Sequence, residues 1–174
     1  MPARPIVMMP NQIFRQKAEH VSTITNEITQ LAQDMAGTVL QNDGCAGIAS
    51  QHIGALKKII ICAMDENGEK SKTPLIMINT EILWQSDETS KETEGSVSLP
   101  NISAQVERPI EIEVKYLDME GNEQSLRTKN WRARTILHER DHHDGIIFLD
   151  HLSKLRRQPI KKALNTQGIK LADI

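Results

Sequence analysis

Apolar residues recur at Ile28, Leu31, Met35 and Val39, a spacing of three to four that keeps them on one face of a helix. Thr23 or Thr25 can cap the start, so the pattern predicts an amphipathic helix from about Thr25 to residue 41. "NDGCAGIASQHIG" (42–54) breaks that rhythm with three glycines and reads as a loop. "ALKKIIICAMD" (55–65) is apolar and β-branched, hence a strand, and "ENGEK" (66–70) is a turn. "PLIMINTEIL" (74–83) is a second strand, and "KETEGSVSLPNISAQVERP" (91–109) is irregular with a β-flavoured middle. "IEIEVKYLDMEGNEQSLRT" (110–128) alternates on both sides of "MEGN", which predicts a hairpin. "NWRARTILHERDHHDG" (130–145) turns helical and stops at Gly145, and "KLRRQPIKKALNTQ" (154–167) forms a last short helix. Strands and helices follow one another without βαβ regularity. The expected class is α+β: mostly antiparallel sheet around a central helix, in one domain spanning residues 1–174.

Composition narrows the function. Hydrophobic residues make up 39% of the chain and charged ones 25%, enough for a soluble protein with a real core. Aromatics are only 3%, which argues against a stacking platform for single-stranded nucleic acid, and a net charge of −2 argues against broad polyanion binding. No apolar run approaches the ~18 residues of a membrane span. Cys45 and Cys62 define no disulfide framework, and free thiols suit a reducing compartment. The N-terminal "MPARPIVMMPNQIF" has three prolines and no signal-peptide apolar region. The expected location is the cytoplasm, with an organelle lumen as the alternative where a transit peptide has been removed.

The chemistry begins at "TILHERDHHDG" (135–145). His138 and His142 are four residues apart, so a helix stacks them on one face, where two imidazoles can bite one metal ion. Glu139, beside the first, can reach a water on that ion, as in the H-E-x-x-H arrangement of metal-dependent hydrolases. A catalytic site of this kind needs a third protein ligand and an open position. His143 points about 100° away from His142 and is a poor candidate. His20, His52 and His151 lack partners at ligand spacing and read as surface or packing residues.

Three ordered motifs then carry a resemblance over essentially the whole chain: "GCAGIASQ" (44–51), "EGSVS" (94–98) and "LHERDH" (137–142). They resemble the G-x-G-φ-A-A-x-Q, E-G-C-φ-S and Q-H-E-x-D-H motifs of the peptide deformylases, metal hydrolases that remove formyl groups from the N-termini of new proteins. "IVMMPNQIFRQKAEHV", "INTEI" and "DGIIFLDHL" agree with the flanks. The resemblance implies a mechanism. His138 and His142 hold the ion, and Glu139 shuttles a proton from the attacking water to the leaving amine. The Gln51 side-chain amide and the Val97 N–H steady the oxyanion. Ala46, Gly47, Glu94, Gly95, Trp131 and Arg134 lie along the peptide. The implied ion is Fe²⁺ or Zn²⁺, with Ni²⁺ a further candidate, and the implied partner is an N-formyl-methionyl nascent peptide.

The departures matter as much. Ser96 stands where the family has its cysteine ligand, and a neutral hydroxyl is a poorer ligand than a thiolate, so the ion is expected to bind weakly. In this register Ala46 replaces a motif glycine and Gly47 an apolar residue, while Leu137 and His143 also depart from the pattern. Asp141 is expected to orient a ligand imidazole, and Glu94 to pair with Arg108. Cys45, in the pocket loop, reads as a small buried hydrophobe. The basic run Lys154, Arg156, Arg157, Lys161 and Lys162 is a solvated helix face or a contact to ribosomal RNA. The rival reading is a deformylase-like protein that has lost catalysis and binds peptides or serves as a scaffold.

Overall fold

Strand β2 (Ile59–Met64) explains the architecture, because nearly all of its side chains are buried and both of its faces need a cover. In the computed structural model, which describes residues 3–171, that cover is one helix on each side. Ile59 and Ile61 pack with Met35, Ala36 and Val39 of α1 (Asn26–Gln41). Ile60 and Cys62 face the other way, onto Ala133, Ile136 and Leu137 of α2 (Asn130–His142). Each isoleucine so buried contributes roughly 1.5–3 kcal/mol. Helix α1 starts where its pattern predicts, with the Thr25 side chain accepting from the Ile28 N–H.

The sheet holds β1 (Gly47–Ala49), β2, β3 (Lys70–Gln85), β6 (Glu111–Leu117) and β7 (Glu123–Lys129), in the order β1-β2-β3-β6-β7 and antiparallel throughout. The hairpin β6–β7 is the one the alternation predicts, with Leu117 paired to Glu123. A separate ribbon pairs β4 (Thr89–Ser96) with β5 (Leu99–Pro109). A third cluster, built on Phe14, Leu99, Val106, Phe148 and Leu149, ties β5 to the 3₁₀ turns Gln12–Arg15 and Phe148–His151 and to Leu164 of the C-terminal helix α3 (Lys154–Thr166). Among the described residues no helix is long and apolar enough to cross a membrane.

Two expectations change. The segment 91–109 is a regular hairpin rather than irregular chain; its strands read weakly because one side is wetted and polar, while Glu94, Leu99, Val106 and Arg108 turn inward. Within the predicted loop 42–54, residues 47–49 form the short edge strand β1, three residues being too few to show a period. Gly145 does end the α2 segment. It sits at φ +73°, and an added Cβ would lie 2.7 Å from the Arg15 carbonyl oxygen, so only glycine turns there freely.

Candidate active site

Helix α2 is unusual in what it buries. Besides three apolar residues it takes Arg134, Thr135, His138, Glu139 and His142 out of water. Buried polar groups need partners, and one half of this set has them. The His138 Nδ1 lies 2.8 Å from Glu94 Oε2 on the inner end of β4. Glu94 also accepts from Arg108 Nε (2.6 Å) and Nη2 (2.9 Å) and from Arg134 Nη1 (2.6 Å). Arg108 continues to Asp141 Oδ2 at 2.9 Å, and Asp141 to His151 Nε2 at 2.7 Å. Burial would raise the Glu94 carboxyl, but the hydrogen bonds from His138 and Arg108 prevail and hold it far below the usual carboxylate range. Burial would likewise lower His138, yet Glu94 and the charge of Glu139 keep it above its ordinary value.

The other half of the set is unsatisfied. Glu139 Oε2 and both ring nitrogens of His142 are buried with no hydrogen-bond partner among the described residues. Each such orphan costs about 1–3 kcal/mol. Beside them stands His52, whose ring lies 4.7 Å from that of His142 and whose Nδ1 is 3.9 Å from Glu139 Oε2. One ligand atom each from His52, Glu139 and His142 fall within 4.8 Å of one another, a donor set that fits a divalent cation. His138 stands one helical turn before His142, with ring centroids 5.6 Å apart, outside that tight trio. Burial, reinforced by the neighbouring histidines, holds His142 well below its ordinary pKa, and burial with the charge on His138 pushes His52 down to about 3. Both rings are neutral near pH 7 and keep a lone pair to offer. Burial lifts the Glu139 carboxyl to about 7, into the range useful for proton transfer.

His52 is the residue sequence reasoning missed, and the structure shows why. Gln51 is fully buried and its amide donates to the His142 carbonyl at 2.5 Å, while His52 lines the groove. Gly47 gives the same answer. An added Cβ there would sit 2.5 Å from the Ile61 carbonyl oxygen and 2.9 Å from Thr135 Cγ2, so β1 can pack against α2 only with glycine at this position. Ile48, next along, is a fully buried apolar residue. The first motif therefore fits one residue further on. Gly47 is its second glycine, Ile48 its apolar position, and His52 stands where the motif has glutamine. Ala46 then falls on the motif's variable position and crowds nothing. The signal in the sequence is Gly47-Ile48-Ala49, which reads as the motif's G-φ-A only in this register.

The remaining assignments sort by contact. Ser96 Oγ accepts from the Ser98 N–H (3.2 Å) and lies 3.4 Å from His52 Nε2. Val97 and Gly95 line the groove at the β4–β5 turn, and so does Trp131, which is 38% exposed. Arg134 reaches the groove wall, but its guanidinium is spent on Glu94, Ser90 and the Val106 carbonyl and so fixes the ribbon rather than meeting a peptide. Glu94 pairs with Arg108 as expected. Asp141 does not orient a ligand imidazole; it holds Arg108 and His151, and Glu94 orients His138 instead. Cys45 is buried, its thiol pushed up to about 12 by burial and the charge of Glu139, and it donates to the Gly47 carbonyl. The groove above the cluster is about 570 Å³, with Ile6, Met64, Val97, Leu99, Ile102 and Trp131 supplying apolar wall.

Comparison with known proteins agrees with this geometry. The polypeptide deformylase family matches residues 3–158. The peptide deformylase of Rhizobium meliloti (strain 1021) is 37% identical over 174 residues, covering 98% of this chain and 99% of its own. That of Brachyspira hyodysenteriae is 37% identical over 163 residues, covering 92% and 87%. Among solved structures, the Ehrlichia chaffeensis peptide deformylase in complex with actinonin superposes with a TM-score of 0.85 at 32% identity, over 96% of this chain and 99% of that one. The Thermotoga maritima peptide deformylase gives 0.80 at 25% identity, over 88% and 99%. A buried helical His-Glu-x-x-His, a groove above it and a match along nearly the whole length leave one conclusion: this chain belongs to the polypeptide deformylase family.

Proposed function

We propose that the chain removes the formyl group from N-formyl-methionyl nascent peptides, using one divalent ion, Fe²⁺ or Zn²⁺ (Ni²⁺ is a further candidate), held among the histidines of α2. The observation that carries this reading is the buried trio of Glu139, His142 and His52 beneath an apolar-walled groove, in which Glu139 Oε2 and both His142 ring nitrogens have no partner among the described residues. When bound, the ion lowers the pKa of a water and polarises the formyl carbonyl. The protein does the rest. Glu139, poised at about 7, takes the proton from the attacking water and returns it to the leaving amine. The Val97 N–H, on the turn that forms the groove wall, is the donor proposed for the developing oxyanion. The methionine side chain suits the apolar wall, with Trp131 at its rim. Glu94 and its two arginines hold His138 in place rather than touching substrate.

The whole chain is proposed to work as one unit in the cytoplasm, a location consistent with two free, buried thiols. The basic face of α3 is proposed to meet ribosomal RNA, which would show as salt-sensitive ribosome binding. The central test is turnover of formyl-methionyl peptides by protein reconstituted with metal under anaerobic conditions. Release of formate that requires metal is expected. Tight peptide binding with no formate at any metal would replace the enzyme reading with the catalytically silent, peptide-binding one.

A further inference from the structure

Two departures from the family motifs meet in space. Ser96 stands at the cysteine position and His52 at the glutamine position, 44 residues apart in sequence, and their side chains lie 3.4 Å from each other. One change removes a metal-binding side chain, and the other introduces one beside it. His52 is built to serve. Its ring is 1% exposed and packs edge-on against Phe14 (5.4 Å) and His142 (4.7 Å). Its Nδ1 is anchored by the Ala49 backbone at 3.1–3.2 Å, and its Nε2 faces the Ser96 hydroxyl. Whichever nitrogen takes the metal, the other keeps a hydrogen-bond partner, as ligating histidines require. The unsatisfied nitrogens of His142 and the Glu139 oxygen converge on the same place.

We infer that His52 supplies the third protein ligand of the metal centre, in the role the family gives to cysteine, so that His52, His138 and His142 form a three-imidazole site. Ser96 is then a hydrogen-bonding neighbour and not a ligand. Three imidazoles with an open position form a known catalytic donor set for zinc. The inference rests on reading the chain as a metal-dependent deformylase, but it concerns the ligand set and is measured without turnover.

The test is metal affinity, with Co²⁺ and Zn²⁺ as probes, by equilibrium dialysis of purified wild-type, His52→Gln, Ser96→Ala and His52→Gln/Ser96→Cys proteins. His52→Gln, which restores the motif residue, should weaken binding at least about tenfold. Ser96→Ala should bind as wild type, and the double variant should regain affinity with a sulfur-to-cobalt charge-transfer band that wild type lacks. A second measurement needs no variant. Paramagnetic proton NMR of the Co²⁺-loaded wild type should show three hyperfine-shifted imidazole N–H signals. Two signals, or a His52→Gln protein that binds metal like wild type, would overturn the inference while leaving the deformylase reading intact. Three signals with no formate release would do the reverse: the ligand set would stand and the enzymatic reading would fall.

Discussion

Two sides of helix α2 bury charge in opposite ways. Towards the β4–β5 ribbon, Glu94, Arg108, Arg134, His138, Asp141 and His151 form a continuous network in which each member has a partner. Towards the β1 loop, Glu139 and His142 are equally buried, and three of their polar atoms have none among the described residues. A saturated network fixes geometry, because moving any member exposes another to an uncompensated burial penalty. An orphaned cluster stores that penalty until a ligand relieves it. The contrast separates the scaffold of the site from its chemistry: the Glu94 side aims His138, and the Glu139 side has capacity to spare for metal and proton.

The largest expected effect breaks the chemical side alone. Glu139→Gln should lower formyl-peptide turnover by ~10²–10⁴-fold. The thermal midpoint of the metal-free protein should not fall, since the change removes a buried carboxylate oxygen that has no partner among the described residues. Unchanged turnover would show that the proton is carried elsewhere.

Breaking the scaffold side should read out first in stability. Glu94→Gln leaves Arg108 and Arg134 facing each other without their shared anion, which should cost about 3–5 kcal/mol in chemical denaturation, with or without metal. A loss below roughly 1 kcal/mol would place this network among the weak surface pairs.

The smallest effect sharpens the contrast. His142→Leu removes the two orphaned nitrogens, so metal-free protein should keep its stability within about 1 kcal/mol or gain some, because both the polar group and its penalty go together. The same variant should lose its metal. A metal-free protein strongly destabilised by this change would mean that His142 has a structural partner after all.

Much of this molecule is legible along the chain. The spacing of Ile28, Leu31, Met35 and Val39 marks α1, alternation about "MEGN" marks β6–β7, and His138, Glu139 and His142 declare a metal-hydrolase helix. The ribbon 89–109 was harder, because a strand wetted on one side and charged shows little hydrophobic period.

What the sequence determined by itself is whatever depends on neighbours within a helical turn or across a tight hairpin: the elements, the i, i+4 histidines, and the order of three short motifs. What only the tertiary structure decided is which side chain of each motif faces the site. A register that fits the letters one residue too early puts Gln51 at the oxyanion and leaves His52 out of the site. Asp141 had the right chemistry to orient a histidine, but Glu94 reaches His138 from another strand. The correct register depends on Gly47 meeting Ile61 and Thr135, residues 14 and 88 positions away, and local sequence holds no record of that contact. A one-residue shift leaves composition and periodicity almost unchanged, yet it exchanges a glutamine tied to the His142 carbonyl for a histidine at the metal site.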